Sequence, residues 1–190
     1  MHYKVKKILF LGYDNNETSL HSILEGRGCE VVHSNEEIVC TSDFDLIISF
    51  GYRHIIPSEI ITTSCPIINL HISLLPFNRG AHPNFWSHFE ATPSGVTIHL
   101  IDEGIDTGLY LFQKRVNFNT KKLTFKESHT ILISEIESLF IRNIEEILSL
   151  EFEPKTYTEE GTYHSYADLP EEVNWNRIID DQLQILSKDK

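Results

Sequence analysis

Asn69, His71 and Asp106 are the residues of this 190-residue chain whose types and spacing suit them to chemistry. In Asn69-Leu70-His71 the side chains alternate, so an extended backbone brings the amide and the imidazole to one side. Asp106 opens Asp106-Thr107-Gly108, after an apolar run at 95–101 and within a glycine-punctuated turn at 102–108. An amide that holds a carbonyl oxygen, an imidazole that donates a proton and a carboxylate that accepts one form a complete set for acyl transfer.

These three need a scaffold. Residues 66–69 read as a short buried strand with Asn69 at its mouth, and 95–101 as a second strand. Both are expected to end at the carboxyl edge of an open α/β sheet, where ligands gather, so that Asp106 faces His71. Upstream, 7–11 reads as a strand turning at Gly12, 18–25 as a helix stopped by Gly26 and Gly28, and 29–33 and 45–50 as further strands. This order predicts an α/β fold, a Rossmann-like mostly parallel sheet flanked by helices. Gly12 stands alone, without a Gly-x-Gly-x-x-Gly run, so a dinucleotide is not expected.

Residues 109–118 read as one more strand. Thr124-Phe125-Lys126-Glu127 is a capping-box pattern opening a long helix, along which Leu132, Ile136, Leu139, Phe140, Ile144 and Ile147 recur at helical spacing. Residues 1–150 are expected to form the catalytic core and 151–190 a short C-terminal extension. Within that extension 155–166 reads as a hairpin or loop, and 169–190 as a charged segment with helix content and a frayed end.

Composition sets bounds. Sixteen basic against twenty-eight acidic residues leave a net charge of −12, which argues against nonspecific nucleic-acid binding. Cys29, Cys40 and Cys65 lack zinc or Cys-x-x-Cys spacing, and the early apolar run is too short for a signal peptide or a membrane span, so a cytoplasmic protein is expected. Ten histidines invite a metal, yet His82 and His88 have no evident third ligand, and no metal is expected.

The run Asn69-Leu70-His71-Ile72-Ser73-Leu74-Leu75-Pro76 with its later Asp-Thr-Gly turn resembles the 10-formyltetrahydrofolate-dependent formyltransferases, over roughly residues 1 to 170. Asn78 to Ser87, Thr92 to His99 and Gly161-Thr162-Tyr163-His164 resemble the branch that formylates amino sugars carried on nucleoside diphosphates. The resemblance implies that Asn69 polarises the formyl oxygen, that His71 stabilises the oxyanion and assists proton traffic, and that Asp106 takes the amine's proton. It implies 10-formyltetrahydrofolate as formyl donor, its pterin lodged between a loop at 51–57 and the turn at 102–106. Arg53, His54, Ile56, Ile101, Glu103 and Asp106 are the matching positions. It also implies a nucleotide-sugar acceptor, surface polysaccharide synthesis and a homodimer, with neither nucleic acid nor membrane as partner.

For the acceptor, Arg79 beside Gly80 suits close approach to an anion such as a pyrophosphate. His82 stands where an acidic residue is more usual in that branch. His99 either packs within its strand or touches substrate, while Phe85 and Trp86 read as core on a short helix. Glycinamide ribonucleotide formyltransferases and formyltetrahydrofolate hydrolases share the same three residues, so they stay as alternatives. A non-catalytic folate- or nucleotide-sugar-binding protein is the reading from another class.

Overall fold

Near-continuous apolar runs make the central strands, because a sheet covered on both faces needs apolar side chains in both directions. The computed structural model describes residues 4–39, 43–63 and 65–188. Its main sheet comprises β1 (Lys7–Gly12), β2 (Glu30–Ser34), β3 (Leu46–Phe50), β4 (Ile67–His71), β6 (Gly95–Leu100) and β7 (Tyr110–Arg115), in the order β2-β1-β3-β4-β6-β7. The β1–β2, β1–β3 and β3–β4 pairings are parallel, whereas β4–β6 and β6–β7 are antiparallel. Only β6 therefore runs against the rest, and the sheet is mostly parallel as expected.

Alternation sorts the strand residues onto two faces. Phe10, Ile48, Ile68, Leu70, Val96 and Ile98 share one buried cluster with Leu132, Ile136, Leu139 and Phe140 of α4 (Phe125–Arg142). On the other face Leu9, Leu11, Ile47 and Ile67 meet Ile60 of α2 (Ser58–Thr63) and Ile56 of the preceding loop. Asn69 and His71 share the parity of Ile67, so they project on the face away from α4.

The capping box forms as the sequence predicts: Thr124 Oγ1 accepts from the Glu127 N–H at 3.1 Å, and Glu127 Oε2 accepts from the Thr124 N–H at 2.8 Å. The expected single helix divides at Asn143 into α4 and α5 (Ile144–Ser149). There the Asn143 amide donates to the Leu139 carbonyl at 2.7 Å, a local side-chain bond that competes with the helical ladder.

The extension does not fold as a hairpin on itself. Its strand β8 (Tyr163–His164) instead pairs in parallel with β5 (Arg79–Gly80), and Lys155 bridges Tyr110. Further on, Ile179 and Leu186 of α6 (Ile179–Lys188) share a third cluster with Phe125 and with Phe85 and Trp86 of α3 (Pro83–Phe89). This confirms the inward aromatics expected of that short helix. Cys40 and residues 189–190 lie outside the described residues. Among the described residues no helix is long and apolar enough to cross a membrane.

Candidate active site

Two neighbouring strands supply the centre. In the β4–β6 register Asn69 lies opposite His99 and His71 opposite Thr97. Asn69 is thus mid-strand and not at a strand mouth. Because β6 is antiparallel, its carboxyl end lies beside the amino end of β4, which corrects the expectation that both segments end at one edge. The chain beyond β6 has to fold back to bring Asp106 over the sheet.

That return is tightly built. The Ile101 N–H donates to the Ile67 carbonyl at 2.8 Å, and the Leu100 N–H to the Leu109 carbonyl at 2.9 Å. Asp102 Oδ1 accepts from Thr107 Oγ1 at 2.6 Å and from the Gly104 N–H at 3.1 Å. Gly108 passes so near β6 that an added Cβ would lie 1.8 Å from the Leu100 carbonyl, which explains the glycine there. Asp106 itself adopts φ 53, a left-handed backbone that non-glycine residues hold only when their surroundings fix it.

The surroundings are explicit. Asp106 Oδ1 accepts from Asn69 Nδ2 at 3.3 Å and lies 3.5 Å from His99 Nε2 and 3.7 Å from His71 Nδ1. Asp106 Oδ2 accepts from the Gly80 N–H at 2.8 Å. His99 Nδ1 meets the Leu100 carbonyl at 2.8 Å, and its Nε2 is 3.2 Å from Asn69 Nδ2. The structure thus brings Asn69, His71, His99, Asp106 and Gly80 together. His99 is 1% exposed, so it supports Asn69 and Asp106 from beneath and offers no surface to an incoming ligand.

Burial pulls the His71 imidazole below its usual pKa, against the opposing pull of Asp106, so its neutral form is favoured. Burial by itself would raise the Asp106 carboxyl. The His71 charge present at acid pH, His99 and the Gly80 N–H outweigh that effect and hold it well below the usual carboxylate range. A neutral imidazole and an ionised carboxylate side by side suit a step in which an ammonium proton has to leave.

The remaining expected residues fall into two groups. Ile56 and Ile101 pack in one cluster, which sets the 51–57 loop against the start of the 102–108 turn. Arg53, His54 and Glu103 are exposed on these segments, with His54 Nδ1 3.6 Å from Glu37 Oε1. Ile56 has its side chain in the core, so only its backbone faces outward. The neighbours Ile55 and Ile105 are 85% and 48% exposed, apolar flanks suited to a flat heteroaromatic ring.

Arg79, Gly80 and His82 lie on β5 and just beyond it. The Arg79 N–H donates to the Thr162 carbonyl at 2.9 Å, and the His164 ring stacks on Trp86 at 3.8 Å with 8° between planes. Tyr157, which sequence reasoning missed, comes from this docked extension. Tyr157 Oη donates to the Gly108 carbonyl at 3.0 Å, beside the Asp106 turn, and Thr162 Oγ1 accepts from the Asn78 N–H at 2.8 Å. No periodicity or motif marks Tyr157, whose partner lies 49 positions away, whereas Thr162 falls in the Gly161-Thr162-Tyr163-His164 run and only its partner, 84 positions away, was hidden. Among the described residues no group of three His, Cys, Asp or Glu is arranged to hold a metal.

A Rossmann-like sheet that sets an amide and an imidazole beside a carboxylate gathers in one place the donors and the proton acceptor that a group-transfer step needs. Residues 29–132, more than half of the chain, match the family described as formyl transferase, and the chain belongs to that family. The formyltransferase PseJ from Anoxybacillus kamchatkensis, solved in complex with UDP-4,6-dideoxy-4-formamido-L-AltNAc and tetrahydrofolate, is 34% identical. Its TM-score is 0.83, over 93% of this chain and 97% of that one. GDP-perosamine N-formyltransferase of Brucella melitensis is 31% identical over 166 residues, 83% of this chain and 62% of that protein. Methionyl-tRNA formyltransferase of Clostridium perfringens is 38% identical over 125 residues, which are 65% of this chain and only 40% of that protein. The chain thus spans less than half the length of the curated relatives it matches at highest identity.

Proposed function

We propose that this chain transfers a formyl group from 10-formyltetrahydrofolate to the amine of an amino sugar carried on a nucleoside diphosphate. The observation that carries the reading is Asp106, held by Asn69 and Gly80 and set beside His71, in a chain that covers nearly all of a nucleotide-sugar formyltransferase. Residues 1–150 act as the catalytic core, and residues 151–190 complete the acceptor side through β8. The product feeds surface polysaccharide synthesis.

The folate supplies the formyl group. Its pterin fits between the 51–57 loop and the 102–106 turn, where Arg53, His54, Ile56, Ile101 and Glu103 offer mainly backbone groups and Ile55 and Ile105 offer apolar flanks. The Asn69 amide, 3.3 Å from Asp106 Oδ1 and 3.2 Å from His99 Nε2, turns one of its hydrogens to the formyl oxygen when the folate is bound. The neutral imidazole of His71 donates toward the oxygen as negative charge develops there. As the acceptor nitrogen bonds to the formyl carbon it becomes cationic, and the ionised Asp106 takes its proton. That proton then moves toward the departing folate nitrogen as the old C–N bond breaks, so the charges balance. Arg79 and Gly80 meet the acceptor.

Incubating the protein with 10-formyltetrahydrofolate and a panel of nucleotide-linked amino sugars tests this. A formyl mass increment on one member together with tetrahydrofolate release is expected. Formate release without any amine would instead identify a hydrolase, and folate binding without turnover a binding protein. The 38% identity to methionyl-tRNA formyltransferase favours a second acceptor, an aminoacylated tRNA, against which the −12 net charge weighs. Formyl transfer to methionyl-tRNA under the same conditions distinguishes it.

A further inference from the structure

β5 works through both of its edges. Successive N–H groups of an extended strand point opposite ways. The Arg79 and Ala81 N–H groups donate to the Thr162 and His164 carbonyls at 2.9 and 2.8 Å. Between them the Gly80 N–H faces the centre and donates to Asp106 Oδ2 at 2.8 Å. The Asn78 carbonyl, just before β5, lies 3.5 Å from His71 Nε2. Whatever fixes β8 therefore fixes what β5 presents to Asp106.

One side chain ties β8 to α3. His164 lies opposite Gly80 in the register. Its ring stacks on Trp86 with centroids 3.8 Å apart and planes 8° from parallel. Trp86 is buried and packs edge-on against Phe85 and Phe89, so the stack rests on a firm base. His164 Nε2 is closed off from solvent and lies 3.1 Å from Glu90 Oε1 at the end of α3, a pair not aligned as a hydrogen bond. Because α3 starts at Pro83, shortly after Gly80, the contacts close a short loop. His164 grips the β5 side by its carbonyl and α3 by its ring.

Building on the formyl-transfer reading above, we propose that His164 is a positioning residue for the reaction: its stack on Trp86 sets β8 against β5, so that Gly80 presents its N–H to Asp106. The left-handed backbone of Asp106 has to be held by its surroundings. A misplacement of about 1 Å at a reacting centre costs about 100-fold in rate. His164 reaches the centre only through backbone, so its effect falls on kcat and leaves folate affinity alone.

The test reads the Gly80 amide proton directly, by NMR of the whole chain with glycine-selective isotope labelling. A hydrogen bond to a carboxylate deshields this proton, and Asp106→Asn identifies its resonance by moving it upfield. In His164→Ala the same resonance is expected to move upfield and to lose protection from exchange. With a nucleotide-linked amino sugar, kcat falls about 10- to 100-fold, while tetrahydrofolate affinity matches wild type. His164→Phe keeps a ring on Trp86 and restores both the resonance and kcat. An unchanged Gly80 resonance in His164→Ala overturns the proposal even if kcat or the melting temperature drops, because His164 would then be structural alone. Failure of His164→Phe to restore either readout also overturns it, because the stack would not be what holds β8. If wild type formylates no such sugar but the Gly80 amide still responds to His164→Ala, the functional reading fails and the coupling to Asp106 stands.

Discussion

The Gly80 N–H donates a 2.8 Å hydrogen bond to Asp106 Oδ2, tying the strand that borders the acceptor side to the carboxylate at the centre. Gly80 has φ +86, and an added Cβ would lie 2.3 Å from the His164 carbonyl, so the β5–β8 pairing and the carboxylate's position depend on one another. A change in how β8 docks would be felt at Asp106.

Asp106→Asn keeps the shape but removes the charge that accepts the amine's proton. Formyl transfer is expected to fall by about 100- to 10,000-fold, with tetrahydrofolate affinity within about twofold of wild type. Near-normal turnover in single-turnover assays would remove Asp106 from this role.

Arg79→Ala tests the acceptor side. It should raise the KM for the nucleotide-linked sugar about tenfold or more, in line with loss of a charge-assisted hydrogen bond to phosphate, while the folate KM stays put. Steady-state kinetics with each substrate varied in turn gives the answer, and the reverse order would move Arg79 away from the acceptor.

Tyr157→Phe removes the bond to the Gly108 carbonyl. Burial, followed by the charge of Asp106, pushes this phenol well above its ordinary pKa, so it stays a donor throughout the working range. A stability loss of about 1 kcal/mol is expected, with kcat reduced several-fold because the Asp106 turn is less firmly held. Reduced melting temperature with unchanged kcat would limit Tyr157 to fastening the extension.

For His71 the folded pKa is depressed, so the neutral ring contributes stability that is present above the unfolded value of 6.5 and lost as pH falls through the folded one. An NMR titration should find this ring changing charge below pH 6.5. In Asp106→Asn, which removes the carboxylate favouring the imidazolium, the midpoint should move lower still. A midpoint above 6.5 would contradict the burial argument.

His88 gives a separate test between Phe118 and Phe125. Burial against Phe118 and Phe125 lowers its pKa to about 4. Between that value and 6.5 the unfolded chain binds more protons, so this group's contribution shrinks as pH falls through the window, by up to about 2 kcal/mol at pH 5. His88→Phe should therefore narrow the difference in melting temperature between pH 7.5 and pH 5.

The strand and helix runs, the Thr124 capping box and the same-side placement of Asn69 and His71 were legible in the sequence, because each depends on a period or a contact a few residues long. Local chemistry likewise identified the Asp106 turn. The direction of β6 was not legible, since an extended run reads alike in either direction, and with it went the mid-strand position of Asn69 opposite His99. The docking of β8 on β5 and the reach of Tyr157 to Gly108 were decided only by the tertiary structure. Such contacts bring together segments 49 to 84 residues apart, and their partners are chosen by global packing, which no local pattern encodes.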